Sequence, residues 1–159
     1  MSWMDRRAVP KENHYFKKDL ETMSLEDLQA LQFKKTREIL ERAYHKSLFY
    51  RECFDKAGVR PEDFKKLEDI RRFPFIDKQD LVKDQEAHPP FGRRVCAAPD
   101  EIRRVNITSG TSGMGQEVHL HEEDAIRAAN ASTACHFAAI GLKEGDVSAV
   151  LYPLGTMTG

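Results

Sequence analysis

The chain has 159 residues, 25 Lys and Arg against 26 Asp and Glu for a formal net charge of -1, and 40% hydrophobic residues. That is one ordinary domain's worth of material with enough apolar side chains for a core, and its charge balance argues against nucleic-acid binding, which calls for a marked basic excess. No apolar run approaches the ~20 residues that span a bilayer, and residues 1–7 lack the apolar centre of a secretory signal, so no membrane role is expected.

Residues 1–20 are mixed and charged, with Trp3, Tyr15 and Phe16, and read as an irregular arm. Ser24 followed by Asp27 has the spacing of a capping box, and Leu25, Leu28, Leu31, Ile39, Leu40, Ala43 and Tyr44 recur at helical spacing, which predicts a long helix to about His45. Glu38 and Arg42 stand four apart in the favourable order on its solvated face. Leu48, Phe49, Cys53, Phe54 and Ala57 predict a second helix, with Gly58 as its left-handed cap. A short helical piece over 63–72 is broken at Phe73-Pro74, and Asp77 with Asp80 caps a helix of two turns through Leu81 and Val82. The aromatics Tyr50, Phe54, Phe64, Phe73 and Phe75 read as core packing between small helices.

Pro89, Pro90, Gly92 and Pro99 mark residues 88–99 as a linker. Beyond it, residues 102–107 and 118–121 alternate as two strands, joined by Thr-Ser-Gly-Thr-Ser-Gly-Met-Gly-Gln-Glu at 108–117. This connection exceeds the usual 2–5 residues of a hairpin. Its three glycines allow backbone N–H groups to turn inward into an anion-binding concavity, and its hydroxyls add donors, so a phosphate is the natural guest. A Walker loop would need Lys and Ser or Thr after the second glycine, and a dinucleotide fingerprint would need another glycine spacing and a following helix; neither is present.

Residues 122–140 form a predicted amphipathic helix with Ile126, Ala129, Thr133, Phe137 and Ile140 on one face, acids at its N-terminal end and Gly141 after it. An apolar strand over 147–152 follows, of the kind buried on both faces. Cys53, Cys96 and Cys135 are odd in number and widely spaced, which speaks against a disulfide framework and for a reducing cytoplasm. Cys135-His136 with His119 and His121 matches no usual zinc spacing, so no metal site is expected from the protein's own ligands.

Thr108–Gly113 resembles the Ser/Thr-Ser-Gly-Thr-Thr-Gly signature of adenylate-forming enzymes, and within them the phenylacetate–coenzyme A ligases and the related coenzyme F390 synthetases. Supporting stretches are Glu21-Thr22-Met23, Leu28–Gln32, Phe49-Tyr50-Arg51, Phe54–Val59, Leu67–Ile70, Phe73-Pro74-Phe75 and Lys78–Leu81, and Tyr152–Gly159 is similar to the family's Tyr-Gly-x-Gly-x-x-Thr-Gly. The resemblance runs from about residue 15 to the end. It implies an α/β fold: an N-terminal helical region over 1–90, then over 91–159 the start of the large nucleotide-binding domain as strand–phosphate loop–strand–helix–strand, with an incomplete sheet and without the rest of that domain or the C-terminal lid domain.

The chemistry implied is activation of a small aromatic carboxylic acid by ATP to an acyl-adenylate, then transfer to coenzyme A. Thr108, Ser109, Gly110, Thr111, Ser112 and Gly113 would bind the ATP phosphates, with Mg²⁺ sharing the charge, and Tyr152, Gly155 and Met157 would line the acid pocket. No catalytic residue is expected within this stretch. Met114-Gly115 stands where the family has Lys-Pro, which removes one positive charge. Lacking the family's later elements, the chain alone is expected not to complete the reaction, and to form homo-oligomers or associate through an exposed sheet edge. Two other readings remain: a fragment of an F390 synthetase-like adenylyltransferase, and a non-catalytic truncated remnant acting as an oligomeric or binding module.

Overall fold

The computed structural model describes residues 15–110, 116–142 and 145–149. They fall into two compact units, the first drawing on residues up to Met23 and from Asp124, the second on Ser24–Glu123. In the second unit, α2 (Leu25–Lys46) starts where the cap chemistry places it: Asp27 N donates to Ser24 Oγ at 3.0 Å, and the Ser24 hydroxyl donates to the Asp27 carboxylate at 2.6 Å. These bonds satisfy donors that the first helical turn leaves open. Ser47 ends α2 and caps α3 (Leu48–Ala57), accepting from Tyr50 N, and Gly58 closes α3 in the left-handed conformation at φ 67°.

Two 3-10 turns, Pro61–Asp63 and Leu67–Arg72, bring Phe64 and Phe73 back against these helices. The core consists of Leu40, Phe54, Val59, Phe64 and Phe73, with Phe33, Tyr44, Cys53 and Leu67 packed around it. Phe64 stacks on Phe33 at 5.1 Å, and Phe54 meets the Phe73 edge at 5.1 Å, geometries that aromatic quadrupoles favour. The apolar stripe of α2 differs from the expected one. Leu25, Leu28 and Ile39 are exposed, and the buried face is that of Phe33, Leu40 and Tyr44. Ile39 lies ~100° round the helix from Leu40, so two apolar stripes coexist and only one meets the second unit's core. Phe75 is also fully exposed rather than part of the core, because it follows Pro74 in the extended bend between Phe73 and the Asp77 cap.

Arg42 does not pair with Glu38. It reaches Glu122 at the end of the hairpin at 2.6 Å, while Glu38 takes Lys35 at 3.1 Å. The Glu122 side chain is less exposed than a helix-surface acid, so its field is less screened and it wins the guanidinium.

α4 (Lys78–Ala87) runs longer than the two turns expected, with Asp77 and Asp80 capping each other's backbone N–H. The segment after it is irregular but tied down. Arg93 places its backbone N–H and Nε on the buried Asp84 carboxylate at 2.6 and 2.9 Å, its Nη1 on Glu52 at 2.8 Å, and its carbonyl accepts the Ser47 hydroxyl at 2.9 Å. Gly92 makes this possible. At φ 73° a side chain is strained, and a Cβ there would stand 2.7 Å from the Asp84 carboxylate.

After a 3-10 turn at Pro99–Glu101, β1 (Ile102–Ile107) and β2 (Val118–Glu122) pair antiparallel, Val105 opposite Leu120 and Ile107 opposite Val118. A register shift between Ile102 and Arg104 inserts one extra residue into β1. The bulge lets Ile102 share a face with Val105 despite their odd spacing.

In the first unit, the short helix α1 (Lys18–Glu21) closes its own first turn through the Glu21 carboxylate, which accepts from Phe16 N and Lys17 N. The long helix α5 (Glu123–Ala139) runs close to its expected span and ends at Gly141, φ 88°. Its expected apolar face is mostly open: Ile126 is half-buried, Ala129, Thr133, Phe137 and Ile140 are exposed, and the buried residue of the helix is Ala138, outside that face. Residues 147–149, expected to begin a strand, pair with no other strand among the described residues; 150–152 lie outside them. No helix among the described residues is long and apolar enough to cross a membrane.

Candidate functional site

The phosphate-loop candidates Thr108, Ser109 and Gly110 sit where β1 ends. Thr111, Ser112 and Gly113, the neighbouring Met114 and Gly115, and the pocket candidates Tyr152, Gly155 and Met157 lie outside the described residues. What the structure shows is how the loop is held at its neck. Thr108 N donates to the Glu117 carbonyl at 3.0 Å, and Glu117 N donates back to Thr108 Oγ1 at 2.9 Å. Thr108 thus closes the loop with its hydroxyl oxygen, and the hydroxyl proton stays available for donation. Gly110 adopts φ 70°, the left-handed conformation that glycine takes at little steric cost.

The outgoing leg is gripped from its other edge by side chains not among the candidate site residues. Gln85 on α4 donates from Nε2 to the Gln116 carbonyl at 3.1 Å and accepts the Val118 N–H on Oε1 at 3.0 Å. Arg94 Nη2 donates to the Val118 carbonyl. Lys78, seven residues before Gln85 on the same helix, stands 3.6 Å from the Glu117 carboxylate, whose side chain is largely buried. The sequence signal for this set was the i, i+7 spacing of Lys78 and Gln85, two turns apart on one helical face, but nothing local says that the face meets a loop.

The two faces of the hairpin differ in chemistry. His119 and His121 lie opposite Asn106 and Arg104 on the polar face. Burial, then the Arg94 cation, holds the His119 imidazole below its ordinary value, so it is neutral at neutral pH. On the apolar face, Phe91, Val95, Ile102, Val105 and Leu120 line a cavity of about 460 Å³ with no titratable side chain in it. Burial likewise raises the Cys96 thiol above its ordinary range, so it is not a thiolate nucleophile at neutral pH. Among the described residues no three His, Cys, Asp or Glu side chains converge as a metal site.

The described residues form a closed loop neck that can orient an anion. The neck is closed by Thr108, the exit is held by Gln85 and Arg94, and the one acid at the exit is matched by Lys78.

No family model matches the chain. It is 37% identical over 141 residues to the phenylacetate–coenzyme A ligase of Escherichia coli, covering 88% of this chain and 31% of that protein. It is 35% identical over 145 residues to the phenylacetate–coenzyme A ligase of Thermus thermophilus, covering 91% of this chain and again 31% of the relative. The chain therefore spans about a third of the length of the curated relatives it matches. Among solved structures, 2-hydroxyisobutyryl-CoA ligase in complex with 2-HIB-AMP and CoA in the thioesterification state superposes with a TM-score of 0.78 at 31% identity, over 89% of this chain and 30% of that one. The same ligase in the postadenylation state gives 0.77 at 30% identity. The helical region followed by a two-stranded hairpin matches the N-terminal part of that adenylate-forming fold.

Proposed function

Since the chain is homologous to part of the phenylacetate–coenzyme A ligases, we propose that it is the phosphate-loop portion of an ATP-dependent aryl-acid coenzyme A ligase acting through an acyl-adenylate. The observation that carries this reading is similarity over about nine-tenths of the chain, joined to a glycine- and hydroxyl-rich hairpin loop whose neck is closed by Thr108. Thr108, Ser109, Gly110, Thr111, Ser112 and Gly113 hold the β- and γ-phosphates of ATP through backbone N–H and hydroxyl donors, and so favour departure of pyrophosphate. Mg²⁺, when bound with the nucleotide, shares the phosphate charge. Tyr152, Gly155 and Met157 line the pocket for a small aromatic acid, coenzyme A is the acceptor, and the reducing cytoplasm suits the three thiols.

The 159 residues by themselves bind the phosphates and do not turn over, because a phosphate loop alone does not hold the attacking carboxylate in line with the α-phosphate. Purified chain is to be titrated with Mg-ATP by calorimetry and assayed for pyrophosphate release with phenylacetate and coenzyme A. Saturable nucleotide binding without release is expected. Absence of binding refutes the phosphate-loop assignment, and sustained release refutes the claim that these residues are catalytically incomplete.

A further inference from the structure

The side-chain amide of Gln85 is placed as a peptide group of an adjacent strand would be. It donates to the carbonyl of Gln116 and accepts from the N–H of Val118, two bonds to residues two apart along one extended leg. Arg94 completes this edge by taking the Val118 carbonyl. On the opposite edge of the same leg, Glu117 exchanges two bonds with Thr108. Three consecutive residues, Gln116, Glu117 and Val118, are therefore bonded alternately outward to α4 and inward to β1. Gln85 is half-buried and sits on a helix whose caps fix its start and whose buried Asp84, the preceding residue, anchors the segment carrying Arg93 and Arg94.

We propose that Gln85, supported by Arg94, is a positioning residue for the phosphate loop: it fixes the exit leg, residues 116–118, before the ligand arrives. This deepens, and rests on, the phosphate-loop reading of residues 108–113. The physical basis is entropy. A leg bonded on one edge only must be ordered further when the anion binds, and that ordering is subtracted from affinity, whereas a leg bonded on both edges is ordered beforehand. Gln85 acts through residues 116 and 118, to which it is hydrogen-bonded.

The test uses the intact 159-residue chain with Gln85→Met, which keeps the side chain's length and removes both hydrogen-bonding groups, and Glu86→Gln on the exposed side of α4 as a control. Two quantities are measured: the dissociation constant for Mg-ATP, and amide hydrogen exchange without ligand. Gln85→Met is expected to weaken Mg-ATP binding about tenfold, the scale of one to two lost hydrogen bonds. It should also speed exchange at Thr108 and Glu117, whose N–H groups Gln85 does not touch, more than in the rest of the chain, with a fall of a few degrees in melting temperature on the scale of the bonds lost. Glu86→Gln should change none of these.

The proposal is overturned if exchange rises at Val118 alone with affinity unchanged, which would make Gln85 a local contact. It is equally overturned if exchange rises uniformly along the chain, which would make it a general tie between α4 and the hairpin. Should the unaltered chain bind no Mg-ATP, the phosphate-loop assignment fails by itself. Exchange at Thr108 and Glu117 then still decides whether Gln85 orders the loop.

Discussion

Thr108 has two possible employments, donor to a phosphate and closure of the loop neck, and one substitution separates them. Thr108→Val keeps the branched shape and removes the oxygen that accepts the Glu117 N–H at 2.9 Å, leaving the backbone bond from Thr108 N to the Glu117 carbonyl at 3.0 Å intact. A lost neutral hydrogen bond is worth about 1 kcal/mol, and leaving a half-buried N–H without a partner raises this toward about 2 kcal/mol. For a chain of this size that is a fall of about 3–6 °C in melting temperature. Thr108→Ser retains the oxygen and should lose far less. The assay is thermal unfolding without ligand, followed by circular dichroism, together with amide exchange at Glu117. If Thr108→Val matches the unaltered chain in both and only weakens Mg-ATP binding, the hydroxyl belongs to the ligand and the neck closure is refuted.

Phe64 is 1% exposed between Phe33 and Phe73, so Phe64→Ala should destabilise the second unit by about 3–5 kcal/mol, whereas Phe75→Ala, at a fully exposed ring, should stay within about 0.5 kcal/mol; urea denaturation compares them. His119 is held below its ordinary value of 6.5 by burial and by Arg94, so the unfolded chain takes up the proton first as pH falls. Its contribution to stability is full above about pH 6.5 and declines below it toward the lowered folded value, and His119→Gln should flatten the pH dependence of the urea midpoint in that window. An unchanged slope in His119→Gln would show that other groups set it.

The sequence was informative where structure depends on a few neighbouring residues. Ser24, Gly58 and Asp77 marked helix ends correctly because a cap is satisfied within four residues of itself. The alternation over 102–107 and 118–121 gave the hairpin for the same reason. What it could not give depended on partners far along the chain. The choice between the Ile39 and Leu40 stripes of α2 is made by Phe54, Phe64 and Phe73. The pairing of Arg42 is decided by Glu122, eighty residues on. Within the candidate site, Thr108, Ser109 and Gly110 are candidates on composition, while the support from Gln85 and Arg94 is not legible, since a polar side chain reads as solvated until its distant partner is known.

The placement of α4 bears on how the chain divides. Residues 1–90 and 91–159 look separate in sequence because prolines and a glycine cluster between them. Yet the loop that carries the proposed function lies after that point and part of its support before it. Lys78 offsets Glu117, an acid that would otherwise repel an anion from the loop's exit, and Gln85 fixes the residues on either side of that acid. The segment between, far from a free tether, carries Arg93 onto Asp84 and Glu52 and Arg94 onto Val118. On the proposed reading, the phosphate loop depends on the helical region for charge balance and for order, which makes α4 part of the binding apparatus rather than an appendage to it.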